Sequence, residues 1–230
     1  MNDTHKQLLD TVKTYKMSPA AAKLVSDNLP LIIAGTTGSG KDAIEQYIQK
    51  ISDWRHVVTH TTRQSRPGEQ NGVDYWFVSE EEMLALAKRQ EFIEFKFLFD
   101  RDFYGSSINS YRLVLEGDHK PMMRIDVQGV SELQLYVSGL RPFFVLPPSF
   151  DSWIERLDAR GHMSHVERAK RLNRAREELE MAIDNEKYVL VVNDEVPRVS
   201  REIVDGITDV ASQHHNRELA QRLIDHIKAY

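Results

Sequence analysis

Cysteine is absent from the 230-residue chain. That excludes disulfides, zinc–thiolate sites, iron–sulfur clusters and any cysteine nucleophile. It fits a reducing compartment, and the expected location is cytoplasmic. No apolar run approaches the ~18 residues that cross a bilayer, so no membrane partner is expected. Residues 1–16 are polar and carry no apolar h-region, so no secretory signal is expected. Positive charge is not in surplus either: 30 Lys and Arg against 35 Asp and Glu leave −5. That balance argues against bulk nucleic-acid binding, and no nucleic-acid partner is expected. Internal repeats and low-complexity tracts are also missing. What remains is a chain long enough to bury a sizeable core without staples.

Residues 1–27 have helix-like spacing, with Leu8, Leu9, Val12 and Tyr15 on one stripe and an alanine-rich pattern after Ser18-Pro19. A helical extension packed on the domain is the plainer reading; a partner-binding arm is the other. From Leu29 the pattern changes. Short apolar runs at 31–34, 57–58, 75–78, 92–97, 122–125, 143–146 and 188–192 read as strands. Helix-like segments fall at 42–51, 79–88, 130–136, 149–160 and 166–187, and again at 217–228. Strands alternating with helices predict an α/β fold with a largely parallel sheet. The cluster from Thr61 to Phe97 holds several strand-like runs and one helix, as an inserted substrate lobe would.

Gly35-Thr36-Thr37-Gly38-Ser39-Gly40-Lys41 follows a predicted strand and opens a predicted helix. In that setting successive backbone N–H groups and the helix N-terminus form a phosphate cradle. Lys41 would reach the outer phosphates of a nucleoside triphosphate. Asp42 stands where the full motif has Ser or Thr on Mg²⁺; a carboxylate is also a hard oxygen ligand, so it is a candidate for that metal. Further on, Arg63 and Arg66 offer two guanidinium groups ahead of a Pro67-Gly68 turn, which suits a phosphate monoester. Arg156 with Arg160, and Arg171 with Arg174, are spaced to share a helix face.

In this order the blocks resemble the guanylate kinase family from about Leu31 to about Ile207. They are the glycine loop, T-T-R-x-x-R-P-G-E at 61–69, G-x-D-Y-x-F-V at 72–78, Glu91-Phe92-Ile93-Glu94 and Tyr104-Gly105-Ser106. Ile125 to Gly129, Pro147-Pro148-Ser149, Arg156 to Gly161 and Val192-Asn193-Asp194 complete the series. The resemblance implies a P-loop NTPase-type parallel sheet core flanked by helices, an inserted β-rich GMP-binding lobe and a helical lid. It also implies boundaries: an N-terminal helical extension at 1–28, the kinase-like domain at 29–210 and a C-terminal helix at 211–230. Within the domain, the core would span about 29–58, 107–148 and 186–210, the GMP-binding lobe about 59–106 and the lid about 149–185.

The implied activity is ATP-dependent phosphorylation of GMP, and of dGMP, with Mg²⁺, ATP and GMP as the small molecules bound. Carried over by position, Gly35, Thr36, Thr37, Gly38, Ser39, Gly40, Lys41, Asp42 and Asn193 would bind ATP. Arg63, Arg66, Tyr75 and Tyr104 would clamp the GMP phosphate, and Thr59, Glu94, Ser106 and Asp126 would form the guanine and acceptor pocket. Lys41, Arg156, Arg160 and Arg171 would stabilise the transferring phosphoryl group. The guanine assignment makes chemical sense: its N1–H and 2-amino group are adjacent donors that one carboxylate accepts, whereas adenine N1 is an acceptor. No histidine is given a role, because a phosphate oxygen is already a nucleophile.

Three departures from the family pattern stand out. Asp42 replaces the hydroxyl, Arg124 replaces an aspartate two residues before Asp126, and one residue is added between Glu94 and Tyr104. Arg124 is expected to pair with Asp42 or Asp126, or to contact a phosphate. Two other readings follow from the departures: the same fold with a different acceptor nucleotide, or a non-catalytic guanylate-kinase-like binding module.

Overall fold

The structure is a computed structural model describing residues 2–98, 101–159, 165–206 and 209–230, with the backbone alone of residue 165. Its elements begin with α1 (Asp3–Thr14), α2 (Pro19–Asp27), β1 (Leu31–Gly35) and α3 (Lys41–Ile51). There follow β2 (Trp54–His56), β3 (His60–Thr61), β4 (Trp76–Phe77), α4 (Glu80–Lys88), β5 (Phe92–Leu98) and β6 (Asp102–Ser107). Next are α5 (Ile108–Glu116), β7 (Lys120–Arg124), α6 (Val127–Tyr136), β8 (Phe143–Leu146) and α7 (Phe150–Asp158). The chain closes with α8 (His165–Asp184), β9 (Val189–Val192), α9 (Val196–Asp205) and α10 (Val210–Ala229). The strands form a five-stranded sheet, order β2-β7-β1-β8-β9, and a four-stranded sheet, order β4-β3-β6-β5.

The chain divides into two compact units. The first comprises Met1–Pro30, Arg55–Met122 and Ser131–Gly139. It contains the four-stranded sheet, in which β6 runs antiparallel to both β3 and β5. Its core gathers Leu8 of α1, Met83, Leu84 and Ala87 of α4, and Phe92, Phe95 and Phe103 of the sheet. Full burial of one such aromatic contributes up to ~3 kcal/mol. Local signals set the helix starts: Ser18 caps α2 with Pro19 inside the first turn, and Ser79 with Glu82 closes a capping box on α4. The N-terminal segment is therefore helical over Asp3–Thr14 and Pro19–Asp27, as two helices rather than one, because Ser18-Pro19 restarts the chain.

The second unit comprises Leu31–Trp54, Met123–Val130 and Leu140–Tyr230. Here β1, β8 and β9 pair in parallel, with Ile33 opposite Phe143 and Phe143 opposite Val189. These strands are buried on both faces, which is why they read as continuous apolar runs. Helices flank them, α10 against β9 and α8, and α3 against α9.

Five elements escape the periodicity reading; β2 and β3 lie on either side of the apolar pair at 57–58, which is not itself a strand. Strand β6 carries Gly105, Ser106 and Ser107, so it has no apolar run to announce it. Helix α5 is short and starts from Ser107 as its cap, inside what looks like the same polar stretch. Helix α9 opens on Val196-Pro197, where proline reads as a break although it suits a first turn.

His60 of β3 lies between the rings of Trp76 and Phe92, at 6.2 and 5.8 Å between centroids. Burial lowers its pKa to about 4, against a weaker opposing pull from a backbone hydrogen bond to Gly105. The fold holds this imidazole neutral, while the unfolded chain protonates it near pH 6.5. Its contribution is therefore complete above pH 6.5 and lost as pH falls toward 4. Thermal unfolding midpoints should decline across that window, and His60→Gln should flatten the decline. A variant as pH-sensitive as the parent would place the responsible proton elsewhere.

Candidate active site

In the second unit, β1 ends at Gly35 and α3 begins at Lys41, so the glycine loop joins a buried strand to a helix N-terminus. Gly40 has φ +94, and a Cβ there would lie 2.1 Å from Asn193 Nδ2. Gly38 has φ +81 and would press a Cβ against Leu157 at 2.9 Å. No side chain fits at either position without rebuilding the loop. The loop carbonyls are held by donors from distant segments. Trp153 Nε1 donates to Thr37 O at 2.7 Å and Asn193 Nδ2 to Ser39 O at 2.7 Å. Arg156 donates to Asn193 O at 3.0 Å and, more weakly, to Ser39 O at 3.4 Å. Lys41 Nζ folds back onto the carbonyls of Gly35 and Thr36, at 2.6 and 2.8 Å. Thr36 and Ser39 are buried within the loop. Of the residues expected at ATP, the glycine loop and Asn193 are thus one contiguous structure, with Arg156 as its brace.

Arg124, at the end of β7, forms a hydrogen-bonded ion pair with Asp42 in the first turn of α3 and lies 3.7 Å from Glu45. Of the pairings the sequence left open, Asp42 is the one this structure contains. A carboxylate already paired with a guanidinium is a poor ligand for a hard dication. Among the described residues, no three His, Cys, Asp or Glu side chains converge on a metal position. Mg²⁺ bound through substrate phosphates takes only one or two protein carboxylates, so Asp42 would serve it only with the Arg124 pair open.

Asp126, in the same unit, accepts the Gly129 amide at 2.7 Å and so caps the start of α6; its other oxygen is 3.9 Å from Arg174. Arg174 also lies 3.4 Å from Glu178, one turn along α8. Burial pushes the Glu178 carboxyl up, Lys41 and Arg174 oppose that rise, and Asp126 adds to it. Sequence reasoning missed Glu178. Its i,i+4 spacing to Arg174 was a usable signal, but nothing local pointed it at the loop lysine. Arg171 is exposed on α8, one turn before Arg174. Arg160 lies outside the described residues.

The first unit holds the other group of candidates. Glu94 is 6% exposed on β5, and its Oε1 accepts from both the amide and the hydroxyl of Ser106, at 2.9 and 2.8 Å. Thr59 Oγ1 is 3.4 Å from Ser106 Oγ. Strand β6 makes this possible by setting Glu94 opposite Ser106 across the ladder. Arg63 lies 5.2 Å over the Tyr75 ring, Tyr75 is 6.1 Å from Tyr104, and Tyr104 shares a side-chain hydrogen bond with Arg63. The structure thus brings together Thr59, Glu94 and Ser106, and separately Arg63, Tyr75 and Tyr104.

Arg66 sits exposed on the turn, with its amide on Glu69 Oε2 at 2.7 Å. Glu69 also takes the Arg63 fork on both oxygens, at 3.0 and 2.9 Å. Burial would raise the Glu69 carboxyl, but Arg63 and the Arg66 amide outweigh it and hold the pKa below its ordinary value. This residue orders the Arg63 side chain and the backbone of the turn at Arg66. It was visible in the sequence only as the last letter of a motif.

A glycine loop between a parallel strand and a helix, in a chain that also carries a buried carboxylate site and an arginine site, defines a nucleotide-binding α/β protein of the P-loop class. The family model for guanylate kinase matches residues 27–209. A guanylate kinase of Neisseria meningitidis is 34% identical over 173 residues, 75% of this chain and 83% of the relative. One from Schizosaccharomyces pombe is 32% identical over 190 residues, 81% of this chain and 94% of the relative. The fold is similar to the crystal structure of guanylate kinase from Anaplasma phagocytophilum, with TM-score 0.56 and 24% identity over 77% of this chain and 83% of that one. The chain belongs to the guanylate kinase family.

Proposed function

We propose that the chain transfers the γ-phosphoryl group of ATP to GMP, and to dGMP, giving the two nucleoside diphosphates. The observation that carries the acceptor is the buried Glu94, already receiving two hydrogen bonds from Ser106 and flanked by Thr59. That carboxylate accepts the N1–H and 2-amino donors of guanine, and the hydroxyls serve O6. Adenine would leave it unpaired, which costs binding. Arg63, Arg66, Tyr75 and Tyr104 hold the acceptor phosphate, Arg63 exchanging part of its Glu69 pairing for the substrate. Asp126 contributes to the acceptor site by orienting the start of α6.

The triphosphate lies on the glycine loop, with Lys41 moving from the loop carbonyls to the outer phosphates. An acceptor phosphate oxygen attacks the γ-phosphorus in line. One P–O bond forms, the β–γ bridging P–O bond breaks, and ADP leaves. Arg156, Arg160 and Arg171, joined by Arg174, neutralise charge on the transferring group and exclude water. Asp42 would be the protein ligand for Mg²⁺ once its pair with Arg124 opened, and the dication would supply charge neutralisation at the triphosphate.

A coupled assay of ADP release across the nucleoside monophosphates tests this reading. Turnover with GMP and dGMP, and little with AMP, is expected. Turnover with another base would favour the altered acceptor, and no turnover would favour a binding module.

The Asp42–Arg124 pair has its own test. Asp42→Ser and Arg124→Asp should each lower kcat/KM, and the double change should recover part of the loss. Charged neighbours in contact show coupling of ~0.5–3 kcal/mol. Strictly additive effects would dissolve the idea that the carboxylate and the guanidinium compensate each other.

A further inference from the structure

Residues 1–26 precede the segment matched by the family model, yet one of them reaches the strand that carries Glu94. Tyr15 follows α1. Its hydroxyl donates to Phe92 O at 2.8 Å and accepts from Phe92 N at 2.9 Å. Strand β5 is the edge of its sheet, so this hydroxyl takes the place of a neighbouring strand at that residue. The position matters because the ladder shifts register between Phe92 and Glu94. Before the shift Phe92 faces Ser107; after it Glu94 faces Ser106. A bulge re-aims the side chain that follows it, and here that side chain is the pocket carboxylate.

Packing reinforces the hydrogen bonds. The Tyr15 ring lies edge-on to Phe95 at 5.6 Å, and Phe92 stacks on Phe95 at 5.1 Å. A Cβ on Gly105 would meet the Phe92 ring at 2.7 Å, so that ring bears directly on the backbone next to Ser106. Tyr15 is thereby tied to both partners of the Glu94–Ser106 hydrogen bonds. Helix α1 anchors it: Leu8 is in the core, and His5 pairs with Glu80 at 2.5 Å.

We propose that Tyr15 is a positioning residue for the guanine pocket, fixing the β5 bulge so that Glu94 and Ser106 meet the base. This makes the N-terminal extension part of acceptor discrimination. The inference rests on the guanine reading of Glu94.

Tyr15→Phe removes only the hydroxyl. It should raise KM for GMP roughly three- to tenfold, the scale of one buried hydrogen bond, with KM for ATP unchanged and kcat little altered. Asp209→Ala removes the side-chain cap of α10 in the second unit and leaves α1 and Phe92 intact. It should lower the melting temperature with KM for GMP unchanged, separating general destabilisation from positioning. A Tyr15→Phe enzyme with wild-type KM for GMP, or with equal rises for GMP and ATP, overturns the proposal. Glu94→Gln, assayed in parallel, keeps the two readings apart. If it spares GMP, the guanine assignment fails; if it weakens GMP while Tyr15→Phe does not, only the positioning role fails.

Discussion

Lys41→Ala should lower phosphoryl transfer by ~3 kcal/mol or more of transition-state stabilisation, about two orders of magnitude in rate, while GMP affinity stays near wild type. Its ammonium sits on the carbonyls of Gly35 and Thr36, and both Lys41 and Arg174 act on the half-buried Glu178 carboxyl. It is therefore a charge held in place before any substrate arrives. A preorganised cation of this kind stabilises developing charge without reorganising at the moment of reaction. Alanine also leaves two loop carbonyls to find other donors, so the melting temperature must be read alongside the rate. Trp153, Asn193 and Arg156 still brace the loop in the variant. Steady-state rates and calorimetric GMP titration check the result. A folded variant retaining more than a few per cent of activity would remove the glycine loop from the reaction.

Glu94→Gln should weaken GMP by ~2–3 kcal/mol and AMP far less. The substitution keeps the size and changes the chemistry. The carboxylate presents two acceptor oxygens, one of which already receives the amide and hydroxyl of Ser106. In the amide one oxygen becomes an NH₂ group. Turned toward Ser106, it loses the backbone hydrogen bond; turned toward the base, it meets the guanine donors with donors of its own. Adenine, with an acceptor at N1, does not suffer the second clash, so discrimination narrows. Dissociation constants for both monophosphates decide the matter: equal weakening, or none, would sink the guanine assignment.

The features legible without coordinates share one property: each is carried by a short contiguous segment. Gly35 to Lys41 spell a loop whose glycines and lysine act within seven positions, and Arg63 and Arg66 flank a turn that Pro67-Gly68 dictates. The strands at Phe143–Leu146 and Val189–Val192 announce themselves because burial on both faces demands apolar residues throughout. Strand β6 fails the same test, since Gly105, Ser106 and Ser107 make up its second half. Thr59, Glu94 and Ser106 could be named by resemblance, but the hydrogen bonds that join them exist only once the β5–β6 ladder sets its register.

Partner choice between distant segments was open in the sequence and settled by the fold. Arg124 had two carboxylates within plausible reach, and the placement of β7 and α3 gives it Asp42, 82 positions away. Asp126 is instead committed to the helix that follows it. Glu178 faces the loop lysine only because α8 packs in that unit, and Tyr15 finds Phe92 across 77 positions because α1 docks on the aromatic core. Periodicity, turn chemistry and capping act over a few residues, so the sequence by itself determined most of the elements and the glycine loop between β1 and α3. Which charged side chains face each other depends on where packed elements come to rest, and only the tertiary structure decided that.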